Sequence, residues 1–223
     1  VKVAVEYLTV PREGETVNGD AAMVRHADGG VLVVVLDALG HGEKAAAAAD
    51  VGLRYLAEAP LDHGVRPLID GLHERLRGTR GAAAMVLLFH NQRVEGCGVG
   101  NVALRSFRAR IPAILTPGVL GGSLTRLRIF KGEVVVGDRI ILFSDGISSR
   151  FDEEGTRSGP ALATCQAIMD GHRKPHDDAT VLVADIEHPA GRPGAPGDDD
   201  PIRRDPAAGR DGGSGPLPPQ RSP

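Results

Sequence analysis

The sequence of 223 residues contains no tryptophan, and aromatic residues make up only 3% of it. A core built from this chain must therefore come from Val, Leu, Ile and Ala. Only two cysteines are present, Cys97 and Cys165, far apart and without metal-type spacing. That leaves no disulfide framework and no thiolate metal site, and fits two reduced thiols in a cytoplasmic protein. No apolar run approaches the ~20 residues of a membrane span, and Glu6 interrupts the N-terminal apolar stretch too early for a signal peptide. No excess of basic charge exists either: 26 Lys and Arg face 29 Asp and Glu, for a formal net charge of -3. This balance argues against a general nucleic-acid or membrane-surface binder.

Proline and glycine are unevenly spread. Nine of the 16 prolines lie between 189 and 223, a stretch whose only large aliphatics are Ile202 and Leu217. Such a segment cannot bury enough apolar surface to offset its ordering entropy. The reading is one folded domain over 1–187 and a disordered Pro/Gly-rich tail over 188–223.

Within the domain, strand-like runs dominate: VKVAVEYL, AAMVRHA, VLVVVLD, AAAMVLLF, RVEGCGVG, VALRSF, LRIF, RIILFSD and TVLVADI. Helical patterns are expected at about 43–58, 67–77 (Leu68, Leu72 and Leu76 on one face) and 160–169. Several strands follow one another across turn-sized gaps such as His90-Asn91-Gln92. That favours antiparallel sheets with helices laid outside over a doubly wound parallel sheet.

Four aspartate sites fall at the ends of strands that read as buried. Asp37 closes VLVVVLD, Asp145 closes RIILFSD, Asp177 and Asp178 open the run before TVLVADI, and Asp20 opens the run before AAMVRHA. Singly, each is explained as a turn former or helix cap. If the strand ends share one edge of a sandwich, the carboxylates converge, repel one another and call for a divalent cation. All-oxygen donors favour Mg²⁺ or Mn²⁺ over Zn²⁺. Two such ions sharing a carboxylate are suited to phosphoryl chemistry. His41 and His176 flank the proposed site, and both read as loop residues before they read as proton donors. Gly40 and Gly42 fit neither a P-loop nor a dinucleotide fingerprint and are read as turn glycines. Ala45 to Ala49 then let the following helix lie close to the sheet. The loop PGVLGG, 117–122, is placed near the site.

The order NGD, DALGHG, GTRGAA, GVGNV, PGVLGG, FSDG and DDAT resembles the metal-dependent protein phosphatases of the PPM (type 2C) superfamily, in its SpoIIE-like branch. RGTRGAAAMV, GVGNVALR and TPGVLGG are most similar to the RsbX-like feedback phosphatases of stress-response sigma-factor pathways. The resemblance spans about 18–186. It implies an α+β fold, a four-layered α-β-β-α sandwich of two antiparallel sheets flanked by helices.

It further implies that Asp37 bridges two metal ions, that the Ala38 carbonyl is a ligand, and that Asp145, Asp177 and Asp20 complete the metal set. Asp37 and Asp145 are the candidate catalytic residues, and the role of Asp178 is open. The implied activity is removal of phosphate from phosphoserine or phosphothreonine by a hydroxide activated between two Mn²⁺ or Mg²⁺ ions. The implied partner is a phosphorylated bacterial regulator of the anti-sigma-factor-antagonist type, or a related scaffold. A non-catalytic module that docks such a phosphoprotein, and a hydrolase of small phosphate esters, are the competing readings.

One residue departs from the family pattern: Ala38 stands where Gly is usual. A positive φ there would cost on the order of 1 kcal/mol or more, whereas a negative φ makes the change nearly silent. No Arg is assignable from the sequence as a phosphate clamp.

Overall fold

A computed structural model describes residues 1–28 and 30–189. The expected tail therefore lies outside the described residues, apart from His188 and Pro189.

Alternating and continuous apolar runs become the strands β1 (Lys2–Val10), β2 (Asp20–Ala27) and β3 (Gly30–Ala38). Two helices follow, α1 (Glu43–Glu58) and α2 (Val65–Leu76), and then β4 (Ala82–His90), β5 (Arg93–Val99) and β6 (Ala103–Ser106). The chain continues through β7 (Leu115–Thr116), β8 (Phe130–Glu133), β9 (Arg139–Phe143), α3 (Glu153–Thr156), α4 (Ala161–His172) and β10 (Ala179–Glu187). One sheet has the order β1-β10-β9-β6, and the other β2-β3-β4-β5-β7 with β8 also on β5. All pairings are antiparallel except β5 with β7.

The two sheets face each other. Val33 and Val35 of β3, Met85 and Leu87 of β4, Ile140 and Leu142 of β9, and Leu182 and Ala184 of β10 fill the space between them. The alternate residues of β3 and β4, Leu32, Val34, Leu36, Ala84 and Val86, turn outward and are covered by α1 and α2. On the far side α4 covers Ile141, Val181 and Val183. These are the expected four layers, α-β-β-α. Burial of both sheet faces explains why β3 and β4 read as continuous apolar runs and not as alternating ones.

Alanines at 45, 48 and 49 and Gly52 are the buried face of α1. They let its axis approach Leu36, as their small size demands. The expected face of α2, Leu68, Leu72 and Leu76, is fully buried. Cys97 and Cys165 are free and buried, and burial raises both thiols, Cys165 to about 11.

One strand is displaced from the sequence reading. LRIF reads as a strand, but the paired residues are Phe130–Glu133. Leu127 and Ile129 pack against the helix-side core instead, and the Arg128 amide donates to Thr116 Oγ1 at 2.9 Å. Side-chain burial and a local side-chain acceptor outcompete the ladder over those three residues. Asp145 and Asp177–Asp178 also lie just outside their strands, in the turns that follow Phe143 and precede Ala179.

Candidate metal centre

Register brings the first two carboxylates together. Asp20 and Asp37 are directly opposite in the β2–β3 ladder. Asp37 shares the parity of Val33 and Val35, so it belongs to the face between the sheets. Its neighbour Ala38 turns into the helix-side core and is 1% exposed. The Ala38 amide donates to the Gly19 carbonyl at 3.1 Å. Among the described residues only Asn91 combines a side chain with positive φ. Ala38 therefore pays no left-handed penalty, and the Gly-to-Ala departure loses its force as a sign of a degenerate site. The turn that follows does need glycine: Gly40 has φ 83, a region L side chains rarely adopt.

The other sheet supplies the remaining carboxylates. Asp145 follows β9, and Gly146 beside it lies flat against the Asp178 carbonyl; a Cβ there would sit only 1.8 Å from that oxygen. The missing side chain thus lets the SDG and DDAT turns touch. Ser144 Oγ, at the same turn, donates to Asp20 Oδ2 at 2.5 Å and ties the two sheets together. Asn101 Nδ2 donates to Asp145 Oδ2 at 2.5 Å, and Lys174 Nζ donates to the Asp145 carbonyl at 2.5 Å.

Burial raises Asp37 to about 8, helped by repulsion from Asp20, Asp145 and Asp177 and by a hydrogen bond shared with Asp145. Burial likewise raises Asp20 to about 7, against the lowering effect of Ser144 and Thr180. Asp177 is raised by burial and by Asp145. Among the described residues no Lys, Arg or His forms an ion pair with Asp20, Asp37, Asp145 or Asp177. Among the described residues no three His, Cys, Asp or Glu side chains stand close enough to hold an ion as arranged. The carboxylates instead hydrogen-bond to Ser144, Asn101 and each other. Their chemistry nevertheless fits a hard divalent cation: all donors are oxygens, they converge from both sheets, and they repel one another with no ion pair of their own among the described residues.

Asp178 has a different task. Its Oδ1 accepts from the Arg12 amide at 2.8 Å and its Oδ2 from the Gly19 amide at 2.9 Å. It pins the 12–19 loop and so fixes where β2 begins. His41 is half-exposed, with Nδ1 3.0 Å from Glu15 Oε1. His176 lies beside Asp177, whose carboxyl it lowers slightly. The PGVLGG loop is bound to the turn region next to Asp37: Ala82 and Leu120 exchange backbone hydrogen bonds at 2.9 and 3.1 Å. The Leu39 amide reaches Gly81 at 3.0 Å.

The sequence reading missed Ser144, Asn101, Lys174 and Arg80. The exposed Arg80 lies against the Cα of Gly40, its Nη1 2.7 Å from where a Cβ would stand. Asn in GVGN and Ser in FSDG were visible within the quoted motifs, but only pairing across the sheets gives them partners.

No family model and no curated protein matches the sequence. Solved structures do match. A chain from work on the bacterial stressosome, a modular system adapted to control secondary messenger signalling, is 31% identical with a TM-score of 0.76; the match covers 82% of this chain and 100% of that one. RsbX in complex with magnesium is 21% identical with a TM-score of 0.65, over 83% of this chain and 96% of that one. The catalytic domain of the serine/threonine protein phosphatase PstP, in complex with two manganese ions, is 20% identical with a TM-score of 0.60, over 83% and 99%. The chain belongs to the PPM-type (type 2C) family of metal-dependent protein serine/threonine phosphatases.

Proposed function

We propose that the protein removes phosphate from phosphoserine or phosphothreonine on a cytoplasmic regulatory protein of a stress-response or sigma-factor pathway, an anti-sigma-factor antagonist or a related scaffold. The observation that supports this reading is the convergence of Asp20, Asp37 and Asp145 from both sheets with no ion pair to any of the three carboxylates among the described residues. The likeness to structures named for RsbX and for the stressosome supports the choice of pathway.

Asp37 and Asp145 are the central pair, with Asp20, Asp177 and the Ala38 carbonyl completing the set that would hold Mg²⁺ or Mn²⁺. Two such ions supply charge neutralisation for the transferring phosphoryl group and acidify a water molecule. The protein's own residues prepare the place for them. Asp37, which burial raises to about 8, would give up its proton as an ion enters. Asn101 holds one Asp145 oxygen and Lys174 holds its main chain, so this carboxylate cannot swing away. Ser144 orients Asp20 across the gap between the sheets. Asp178 keeps the 12–19 loop, and with it the start of β2, in register.

The test is phosphate release from a phosphorylated anti-sigma-factor antagonist with Mn²⁺, with chelator, and with Asp37→Ala. Metal-dependent release lost in the variant is expected. Binding of the phosphoprotein without turnover, alike in both proteins, would leave a docking module in place of an enzyme.

A further inference from the structure

Charge is distributed unevenly along the chain. Between Gly96 and Gly132 there is no acidic residue, yet there are six cations: Arg105, Arg108, Arg110, Arg126, Arg128 and Lys131. The chain as a whole carries -3, so the remainder carries -9. Arg105 is committed to the fold: it stacks on Phe151 at 4.2 Å and donates to the Phe151 carbonyl at 3.1 Å. The other five are exposed. Lys131 stands 3.7 Å from Glu95. Arg108, Arg110, Arg126 and Arg128 have no carboxylate partner among the described residues.

The fold gathers this segment along one border. β7 and β8 both pair with the side of β5 that faces away from β4. Arg128 is tied to β7 through Thr116, and Thr125 Oγ1 donates to the Pro117 carbonyl at 2.9 Å. The Arg110 carbonyl and Ile111 lie against Gly132 of β8. One end of the border reaches the carboxylates: the Gly100 amide donates to the Thr116 carbonyl at 3.0 Å, and the next residue, Asn101, holds Asp145.

We propose that this border is the docking surface for an acidic segment of the phosphoprotein substrate, lying beside the residue to be dephosphorylated. The inference rests on the phosphatase reading and names how its substrate is selected. Unpaired arginines are the side chains that interfaces favour, and a cationic track leading to the site steers an acidic partner toward it. Ile114, 54% exposed within the same segment, adds an apolar contact of the kind a protein partner covers. A nucleic acid fits less well. The segment has only two aromatics: Phe130 is 6% exposed, and Phe107 is already faced by Arg157 at 5.8 Å. No ring is offered for base stacking.

The full chain, with Mn²⁺, is titrated with a fluorescent phosphoserine peptide whose flanks are Asp and Glu, and with its counterpart whose flanks are Lys. The acidic peptide is expected to bind at least about tenfold tighter at low salt, with the preference shrinking as salt rises. R110E/R126E/R128E removes or reverses the preference, and the corresponding Gln triple, which keeps the fold under less charge stress, reduces it. Turnover of p-nitrophenyl phosphate, which needs no docking, stays within about twofold in both variants. R54E/R75E, on the helical layer, leaves the preference intact. Equal binding of the two peptides by the wild type, or a preference that survives the triple reversal, overturns the proposal. So does tighter binding of a single-stranded oligonucleotide of matching charge. Absence of p-nitrophenyl phosphate turnover in the wild type counts against the phosphatase reading alone, because the binding preference is measured separately.

Discussion

Strand β9 begins at Arg139 and ends just before Asp145, and the two ends bury charge in opposite ways. At the first end Arg139, 5% exposed, makes a two-pronged contact with Asp185 of β10 at 2.6 and 2.7 Å. Its remaining donors go to the Thr156 carbonyl, Thr164 Oγ1 and the Gly159 carbonyl. Each charge has an opposite, and the contacts tie the 156–164 connection to the sheet. At the other end Asp20, Asp37 and Asp145 meet with hydrogen-bond donors, Lys174 reaching only the Asp145 main chain, and no ion pair to their carboxylates forms among the described residues. Asp185, which ties the sheet to the 156–164 connection through Arg139, is given its counter-charge by the chain. A cluster left without one is suited to a charge that arrives from solution.

The contrast can be broken from either side. The largest effect on folding is expected at the satisfied end. Arg139→Ala strands Asp185 and frees the 156–164 connection, at a cost of about 3 kcal/mol, the lower end for breaking a buried pair because Asp185 remains partly exposed. In a chain of this size that lowers the melting temperature by roughly 6–12 °C, in the presence or absence of Mn²⁺, by thermal unfolding. At the unsatisfied end the effect falls on activity. Asp37→Asn is expected to reduce phosphate release by at least about a hundredfold, while the metal-free protein melts no lower than wild type, since a repulsive charge has been removed.

The pH dependence of metal-free stability sharpens the comparison further. Asp20 and Asp37 titrate at about 7 and about 8 in the fold, against an ordinary value of 3.8. The folded state therefore holds protons that the unfolded chain releases. The stability this contributes is fully present below about pH 4 and is lost as pH rises through 7 and 8. The melting temperature of the chelated protein should fall across that window, and Mn²⁺ should flatten the fall by replacing the protons.

The smallest effect belongs to Ala38→Gly. Because Ala38 is extended and packed into the helix-side core, restoring the family residue should cost about 0.5–1 kcal/mol through backbone freedom and should not raise turnover.

Much of this was legible in the sequence because it depends on local pattern. Apolar runs closed by aspartates, alanines at 45–49 and Leu68, Leu72 and Leu76 on one face each specify an element and its buried side. The antiparallel order followed from short connections. What escaped was set by contacts between distant segments. Ser144 acquires meaning only by reaching Asp20 across the two sheets, and Lys174 only because Gly146 brings the SDG and DDAT turns together. Leu127 and Ile129 look like strand residues, but the helix-side core takes them out of the ladder. The cations between Gly96 and Gly132 are plain in the sequence, yet only the pairing of both β7 and β8 with β5 aligns them along one border leading to Asn101.

The central claim is that the carboxylate end of the sandwich is a divalent-cation site. Calorimetric titration of the chelated protein with Mn²⁺ near pH 7, in buffers of different ionisation enthalpy, tests it most directly. Saturable binding is expected, with release of the proton held by Asp37, and Asp37→Asn should weaken binding by at least tenfold and abolish part of the proton release. Absence of Mn²⁺ binding, or equal binding by wild type and Asp37→Asn with no proton released, would contradict it.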